Sequence, residues 1–426
     1  MSILLAIYNI KDRFMDNKII WIVNKDAAPT AEYATHIRST REAAFFLSKG
    51  YEVKIICGNR VHNTNIVHPV KGKYSVEIHD GVEYVFVKTI AYKNSFIKRV
   101  LSYSAFSLKI FLLNELGKPD IVIHDTKTPF DMLVSTFAKK NNAKYIVDVE
   151  DLWPRMFEFM GFLKPNNPIL KLLYNLEKRL YAKADHVVFT MEGGGDYIKD
   201  HKWDMGQKGP IALEKVHYVN NGIVLKDFDY NRENYRIKDV DLEDDSLFRV
   251  IYLGSIRQAN NLGQLIDAAK RLLAYENIKI LIYGDGPERK TLEERCLEEN
   301  INNVVFKQKW IEPKYVPYVL SKAHINILNY SLGWARYGGS MNKMFMSFAS
   351  GKPMVCNANL SYSEIKRHNL GIDEYLDTPD KYANAILSIF NMPKLEYEKM
   401  CLRTREVAKT YDVPVLMENF ARFCQL

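Results

Sequence analysis

Residues 336–353 read RYGGSMNKMFMSFASGKP, in which two glycines and a serine precede a helical pattern that ends at Gly351. Glycine lets a backbone approach an anion closely, and the amides at a helix start point toward it. Lys343 falls in the first predicted helical turn, where it adds a full positive charge. The pattern predicts a phosphate-binding loop, with the candidate residues Gly338, Gly339, Ser340, Asn342 and Lys343. The alternative is that the two glycines only form a tight turn between a strand and a helix.

Three more strand ends in the second half carry groups suited to a nucleoside diphosphate. The stretches that follow these strands are GSIRQANN (254–261), GDGP (284–287) and Lys309-Trp310. They supply the candidate binding residues Gly254, Ser255, Asn261, Gly284, Gly286 and Trp310. Arg257 and Lys343 are the candidate cations for the diphosphate. The alternatives are that Arg257 is a solvated loop charge and that Trp310 is ordinary packing.

Two strands in the first half also end in groups that could do chemistry. Glu150 and Asp151 follow the strand KYIVDVE, and His124 lies at the end of DIVIHD. Glu150 is a candidate site carboxylate, and the alternative is that Glu150 and Asp151 cap the segment that follows. Asp151 is better interpreted as a helix cap, because Leu-Trp-Pro follows it, and His124 could be a loop histidine satisfied by its neighbours.

The loop after the first strand, KDAAPTAEYATHIRSTRE, is expected to contact a second substrate. Its candidate contacts are Glu32, His36 and Arg38. For Arg38 the alternative is a position on a helix face, without a ligand.

The elements that must position these residues are short apolar strands alternating with longer helical patterns. Strands that are apolar on both faces and alternate with helices specify a doubly wound parallel sheet, and here the alternation occurs twice. We therefore predict an α/β protein with two Rossmann-like domains facing across a cleft. In such sheets ligands bind beyond the carboxyl ends of the strands, which is where the candidate residues fall.

The charge and core patterns set the predicted domain boundaries. The first domain is expected at 1–225, with 1–17 as a possible extension before the first clear strand. Residues 226–247 are charged and lack a core pattern, so they are interpreted as a linker. The second domain is expected at 248–410. A C-terminal helix at 411–426 is expected to pack back on the first domain.

The composition is that of a soluble globular protein, with 47% hydrophobic and 26% charged residues. The 5 cysteines are scattered and never spaced as CxxC, which predicts a reducing compartment and argues against a zinc site. No run is apolar enough to span a bilayer, and the first residues lack signal-peptide features. Residues 1–225 carry +7 of the net charge of +8. That excess favours an anionic partner, but no nucleic-acid-binding motif accompanies it.

Residues 92–116 form a basic amphipathic segment. Its apolar side chains are too numerous for one narrow core stripe, and four cations accompany them: Lys93, Lys98, Arg99 and Lys109. Such a segment could lie on an anionic membrane. The alternative is a helix packed on the sheet with its lysines in solvent.

Several ordered motifs resemble a known family. They are VEDLWP (149–154), LEKRLYAKADHVV (176–188), NNGIVLKDF (220–228), GSIRQANNLGQLIDAAK (254–270), YGDGPERKTLE (283–293) and the glycine-containing stretch at 336–353. Together they resemble GT-B glycosyltransferases of family four, in particular the branch that builds bacterial capsular and O-antigen polysaccharides and its L-fucosamine-transferase-like group. The likeness runs from about Ile19 to the C-terminus.

The resemblance implies a retaining transfer of a sugar from a nucleotide sugar, usually a UDP-sugar, without a metal or other cofactor. It implies a saccharide acceptor, commonly linked to a lipid, and a cytoplasmic location at the inner face of the cell membrane. Glu150 takes the place of a family histidine near the reacting sugar, and Lys343 and Arg257 would stabilise the departing diphosphate.

The sequence departs from the family at its two hallmark glutamates. Gly338 stands where the first, which contacts the donor sugar, is expected, and Met346 stands where the second, which binds the ribose hydroxyls, is expected. Methionine cannot accept a ribose hydrogen bond as a carboxylate does. Two alternatives therefore stay open: a catalytically weak homologue that binds a saccharide or a partner, and a nucleotide-sugar epimerase on the same fold.

Overall fold

The structure is a computed structural model, and it describes residues 18–29, 37–61, 64, 66–92, 96–126, 128, 132–331 and 336–426. The chain divides into two compact units. Unit 1 comprises Met1–Asn220 with Met417–Leu426, and unit 2 comprises Asn221–Leu416. Each unit contains one twisted sheet covered by helices.

The sheet of unit 1 has eight strands in the order β3-β4-β2-β1-β5-β6-β7-β8. Only β3, which pairs with β4, runs antiparallel. The strands are β1 (Ile19–Val23), β2 (Glu52–Gly58), β3 (Tyr74–His79), β4 (Val82–Val87), β5 (Ile121–Asp125), β6 (Lys144–Val149), β7 (His186–Phe189) and β8 (Val216–Tyr218). The central strands are buried along nearly their whole length, because helices cover both faces.

The helices of unit 1 are α1 (Ile37–Ser48), α2 (Phe96–Lys109), α3 (Met132–Lys140), α4 (Trp153–Phe159), α5 (Pro168–Lys183) and α6 (Gly194–Asp200). Right-handed crossovers place α2, α3 and α5 on one face of the sheet, where α3 packs against both neighbours. The C-terminal residues of the chain also belong to this unit. The ring of Phe420 lies 6.1 Å from that of Phe46, and Lys144 Nζ donates to the carbonyl of Cys424 at 3.0 Å.

The sheet of unit 2 has six strands, all parallel, in the order β11-β10-β9-β12-β13-β14. They are β9 (Phe248–Leu253), β10 (Ile278–Tyr283), β11 (Val304–Phe306), β12 (Ile325–Leu328), β13 (Met354–Cys356) and β14 (Gly371–Asp373). The prediction of two parallel-sheet α/β domains is therefore confirmed.

The helices of unit 2 fill the segments between its strands. They are α7 (Leu225–Asn234), α8 (Val240–Glu243), α9 (Leu262–Arg271), α10 (Arg289–Glu298), α11 (Val316–Ser321), α12 (Asn342–Ser350), α13 (Glu364–Arg367), α14 (Pro379–Phe390) and α15 (Lys394–Thr410). A last helix, α16 (Val413–Phe423), begins in this unit. Residues 226–247, interpreted from sequence as a linker, include most of α7 and all of α8, and Leu242 is fully buried.

Candidate functional site

The glycine-containing stretch of unit 2 forms a loop and a helix start, as its sequence predicts. Helix α12 begins at Asn342, and the preceding Met341 is extended and makes no side-chain cap bond to the first amides. The helix ends at Gly351, whose φ of +68° is left-handed and whose amide donates to the Phe348 carbonyl at 3.0 Å. Lys343 lies in the first turn, so its side chain can reach back to the strand ends.

The ammonium group of Lys343 lies against the end of β9. Its Nζ donates to the hydroxyl of Tyr252 at 3.0 Å and lies 4.7 Å from the centre of the Tyr252 ring. The same hydroxyl donates to the Ser255 carbonyl at 2.6 Å. A Cβ added to Gly254 would stand 2.2 Å from Nζ. The absence of a side chain at Gly254 therefore makes room for the cation.

Two positive charges, those of Lys343 and Arg257, lie near each other at this edge. Burial, together with the nearby positive charge of Arg257, lowers the pKa of Lys343 to about 8. Within the described part of the chain, no carboxylate lies within ion-pairing distance of either side chain. Uncompensated cations beside a helix start favour an anionic ligand.

The strand ends next to Lys343 run so close together that they exclude side chains. A Cβ added to Gly284 would lie 1.9 Å from the carbonyl oxygen of Gly254, and Gly284 has a φ of +131°. A Cβ added to Gly286 would lie 2.1 Å from the carbonyl oxygen of Ile256. The amide of Ile256 donates to the Asp285 carbonyl at 2.9 Å. The glycines thus let the β9 and β10 ends form one continuous backbone surface.

Polar side chains hold the loops around this surface. Ser255 Oγ donates to Asn260 Oδ1 at 3.2 Å, and Asn261, with a left-handed φ of +45°, precedes α9. Asn329 donates to the Asn261 carbonyl at 2.9 Å and accepts from the Tyr382 hydroxyl at 2.6 Å. Asn357 accepts from the Tyr330 amide at 2.9 Å and donates to Gln264 at 2.7 Å. Sequence reasoning missed Tyr252, Asn329 and Asn357. The last two also follow apolar strands, and that position is the signal that could have identified them.

The loop before α12 is fixed by the NNG motif. The amide of Asn221 donates to Ser340 Oγ at 3.0 Å, and its side chain donates to the Ser340 carbonyl at 3.3 Å. Gly338, which precedes the serine, has a left-handed φ of +83°. Gly339 and Ser340 are half-buried, whereas Asn342 is exposed.

Two other candidates of unit 2 are Met346 and Trp310. Met346 is half-buried and packs on the apolar cluster around Phe345 and Phe348. Trp310 is 71% exposed. The structure thus brings Gly254, Arg257 and Lys343 together and leaves Trp310 in solvent.

Unit 1 carries a buried ionic network at the carboxyl end of β6. Arg38 donates to both oxygens of Asp148, at 2.6 and 2.9 Å, and to the Asn220 carbonyl at 3.1 Å. Glu42 lies 3.2 Å from Arg38. Burial and the charge of Asp148 raise the pKa of Glu42 well above its ordinary value. Arg38 therefore stabilises the interior of this edge, where it is only 5% exposed.

The neighbouring strand ends continue the network. The side chain of Asn24, after β1, donates to Asp125 at the end of β5 and to Ser39 Oγ at 2.9 Å. His124 is 2% exposed, and its Nδ1 lies 2.7 Å from the Tyr145 hydroxyl. Because alternate residues of a strand face opposite sides of the sheet, His124 packs into the sheet while Asp125 joins the polar edge.

Glu150 and Asp151 follow β6 directly. Glu150 is half-buried. Burial raises the pKa of Asp148, and the negative charge of Glu150 adds to this effect, while Arg38 opposes it. Asp151 is exposed, and the interpretation of this residue as a helix cap is wrong. Helix α4 begins at Trp153 with Leu152 at the cap position, and no side chain caps it. Glu32 and His36 lie outside the described residues.

No three His, Cys, Asp or Glu side chains in the described ranges are grouped to hold a metal ion. In the same ranges no helix has the length and apolar character needed to cross a membrane.

Comparisons with known proteins concern both the sequence and the fold. Residues 234–409, within unit 2, match the family model described as Glycosyl transferases group 1. The chain is also similar to the uncharacterized glycosyltransferase MJ1059 of Methanocaldococcus jannaschii. The two are 25% identical over 292 residues, which cover 64% of this chain and 64% of that protein. The similarity thus spans slightly less than two thirds of this relative.

Solved structures resemble the whole chain. Anabaena Alr3699/HepE in complex with UDP is 12% identical, with a TM-score of 0.64 over 96% of this chain and 99% of that one. WaaG, a glycosyltransferase involved in lipopolysaccharide biosynthesis, is 12% identical, with a TM-score of 0.65 over 95% of this chain and 99% of that one. At such identities the likeness establishes the fold, which is GT-B.

Proposed function

We propose that the chain is a glycosyltransferase that moves a sugar from a nucleotide sugar, most simply a UDP-sugar, to a saccharide. The observation that carries the proposal is the placement of Lys343 and Arg257 at the glycine-lined end of β9 without a carboxylate partner in the described residues. The match of unit 2 to group 1 glycosyl transferases and the UDP bound to the HepE structure support it.

In the proposed reaction the bond between the anomeric carbon and the diphosphate oxygen breaks, and its electron pair stays on the diphosphate. A hydroxyl oxygen of the acceptor saccharide forms the new bond to the anomeric carbon, and the hydroxyl proton passes to the departing diphosphate. Lys343, Arg257 and the first amides of α12 would bind the two phosphates and stabilise the charge that develops on them. These groups are fixed before the donor binds, since Tyr252 holds Lys343 and the Asn221 contacts hold the loop. We propose that these cations replace a metal ion.

We further propose that the configuration of the sugar is retained, as the motif resemblance implies. Glu150 would lie on the acceptor side, where a carboxylate could stabilise an oxocarbenium-like centre. The Arg38–Asp148 ion pair would act by fixing the end of β6, and Glu150 follows that strand directly. Arg38 would then be a positioning residue.

The acceptor is proposed to be a lipid-linked saccharide of cell-envelope polysaccharide synthesis, and the enzyme to lie at the inner face of the cell membrane. The exposed side of α2 supports this location. Leu101 and Leu108 of α2 are 53% and 57% exposed, and Leu112, in the short turn that follows the helix, is 50% exposed. Lys98 and Arg99 are exposed as well. A helix with apolar and basic exposed groups suits an anionic membrane surface.

A catalytically weak, ligand-binding homologue is the second candidate. The observation that favours it is Met346, which packs into the core at the place where the resembling family has a ribose-binding glutamate. Such a protein would bind the nucleotide sugar and turn it over slowly or not at all.

The first test is thermal stabilisation of the full chain by UDP, GDP, ADP and CMP. A ligand that binds only the folded protein raises the melting temperature. We expect UDP to raise it, and Lys343→Ala to lower the UDP affinity by about 10- to 100-fold, because a charge-assisted hydrogen bond is lost. Lys394→Ala is the matched control, since Lys394 is 88% exposed in its side chain.

A second measurement separates the two candidates. UDP release from a panel of UDP-sugars in the presence of saccharide acceptors would identify a transferase. Binding of UDP without release from any donor would favour the binding protein. If no nucleotide stabilises the folded wild type, the donor site itself is refuted.

A further inference from the structure

The hairpin between α4 and α5 exposes four large apolar side chains. They form what we call the hairpin patch, which consists of Met160, Phe162, Ile169 and Leu172 and is 51%, 69%, 56% and 53% exposed, respectively. Helix α5 already has a buried apolar side, formed by Leu170, Leu173 and Leu180. The patch therefore adds a second apolar face that the core of unit 1 does not use. Apolar groups clustered in this way mark an interaction surface more often than a chance exposure.

Hydrogen bonds and a helix cap fix the conformation of the hairpin, so the apolar side chains of the patch are exposed in the folded structure. Asn167 caps α5 by accepting from the Ile169 amide at 2.8 Å, and Pro168 occupies its first turn. The Tyr174 hydroxyl donates to Glu158 at 2.7 Å, which ties α5 to α4. The ring of Phe162 lies 6.4 Å from that of Phe157. The patch is thus presented on a structured turn and a helix face.

Positive charge surrounds the hairpin patch. Residues 153–183 contain six basic side chains, Arg155, Lys164, Lys171, Lys178, Arg179 and Lys183, and only two acidic ones. Of the two, Glu177 is buried and accepts from the Tyr181 and Tyr197 hydroxyls, and Glu158 accepts from Tyr174. Within the described residues, Lys164, Lys171, Lys178, Arg179 and Lys183 have no carboxylate within ion-pairing distance. The charge of this surface is therefore available to a ligand.

The positive charge around the hairpin patch favours some binding partners over others. A second copy of the chain would bring the same cations to a two-fold interface, where like charges repel. An anionic bilayer satisfies both features at once, because its acyl region takes the apolar side chains and its headgroups attract the lysines.

We infer that the hairpin patch and its lysines are a docking surface for anionic lipid, separate from the contact proposed for α2. Helices α2, α3 and α5 lie side by side on one sheet face, so both surfaces belong to the same layer of unit 1. Lys139 and Lys140 of the intervening α3 are exposed and basic too. The inference does not depend on catalysis, since the surface binds lipid with or without a sugar donor.

The test is co-sedimentation of the full chain with vesicles of phosphatidylcholine alone and of phosphatidylcholine with phosphatidylglycerol. We expect binding to the anionic vesicles that weakens as salt rises. Met160→Ser/Phe162→Ser removes apolar contact, and Lys164→Glu/Lys171→Glu reverses charge. Each double variant is expected to lower the partition coefficient by about tenfold or more. All four residues are exposed, so the melting temperature should stay unchanged.

Two further double variants control for position and for apolar exposure as such. Leu297→Ser/Leu402→Ser removes side chains of unit 2 that are 78% and 69% exposed, and binding should not change. Leu108→Ser/Leu112→Ser tests the α2 surface separately.

The inference is overturned if the wild type binds both vesicles equally weakly, or if only the α2 variant reduces binding. It is also overturned if the hairpin variants keep vesicle binding and instead lose an acidic protein partner. UDP stabilisation of each variant reports the donor site independently.

Discussion

The ammonium group of Lys343 occupies the space that a side chain at residue 254 would need, since a Cβ on Gly254 would stand 2.2 Å from Nζ. The two residues are 89 positions apart in the chain, at the end of β9 and the start of α12. Their contact places the positive charge of Lys343 directly beside the glycine backbone at the end of β9. The candidate donor site depends on this contact.

Gly254→Ala should therefore impair the site in two ways. The φ of Gly254 is +150°, which costs a non-glycine residue about 1–3 kcal/mol. The new methyl group would also displace Lys343, so UDP affinity should fall along with stability. Urea unfolding and UDP titration measure the two effects.

Gly263→Ala is the matched control for that variant. Gly263 lies in α9, where an added Cβ meets nothing within 4 Å. Alanine is the better helix former, so this change should stabilise unit 2 by roughly 0.5–1 kcal/mol and leave UDP binding intact. Equal UDP affinity of Gly254→Ala and the wild type would contradict the role given to the Gly254–Lys343 contact.

UDP binding should weaken as the pH rises above about 8. Burial lowers the pKa of Lys343 to about 8, so above this pH the free protein holds a neutral amine. A diphosphate, fully ionised above about pH 7, binds the charged form better and thereby raises the lysine pKa. Binding must then take up a proton, and affinity should drop by up to about tenfold per pH unit above pH 8.

Calorimetric titration of UDP at pH 8.5, in two buffers of different ionisation enthalpy, measures that proton uptake. Lys343→Met, which cannot titrate, should bind UDP weakly and show no uptake. Proton uptake that persists in Lys343→Met would assign the effect to another group.

The buried Arg38–Asp148 ion pair should be costly to break on one side only. Asp148→Leu leaves the guanidinium of Arg38 buried beside Glu42, and we expect a loss of about 3–5 kcal/mol in the free energy of unfolding of unit 1. Arg38→Met combined with Asp148→Leu removes both charges and should cost less than the sum of the single changes. Urea titrations of the three variants give the coupling energy. Additive costs would show that the pair is not coupled.

Glu177 should make unit 1 less stable as the pH rises from about 5 to 8. Burial raises its pKa from 4.5 to about 7, although the Tyr197 and Tyr181 hydroxyls partly offset this. Between pH 4.5 and about pH 7, Glu177 is more often protonated in the folded protein than in the unfolded chain. The free energy of unfolding therefore falls with rising pH, by up to about 3 kcal/mol. Above pH 7 the loss is complete.

Glu177→Gln isolates that contribution because it removes the titrating group and keeps its shape. The stability of the variant relative to the wild type should increase as the pH rises through 7. Urea unfolding at pH 5, 6, 7 and 8 measures this difference. A difference that stays constant over this range would mean that Glu177 has the same pKa in both states.

Local sequence patterns predict the features of the site that depend only on residues close together in the chain. The helix start at Asn342, its end at Gly351 and the position of Lys343 in the first turn follow from glycines and helical periodicity within eighteen residues. The strands followed from their apolar runs, and the position of the candidate residues after those strands followed from the general behaviour of parallel sheets. These features depend on backbone conformation, which each residue type restricts locally.

Long-range packing decided the features that sequence reasoning missed or misjudged. The partner of Arg38 lies 110 positions away, and the partner of Lys343 lies 91 positions away. Whether His124 enters the sheet or Trp310 stays in solvent depends on which elements pack against them. Asp151 failed as a cap because α4 begins two residues later, at Trp153. No local sequence pattern specifies which distant helices and strands pack against a given side chain.

Periodicity and backbone freedom are local properties, so two parallel α/β domains and a glycine-containing loop before a helix could be predicted from the residues alone. Long-range packing leaves Lys343 and Arg257 without a carboxylate partner in the described residues, whereas it neutralises Arg38 in the interior. The reason is physical: the charge that a ligand meets depends on which opposite charges the fold places within a few ångströms, and burial sets how strongly they act.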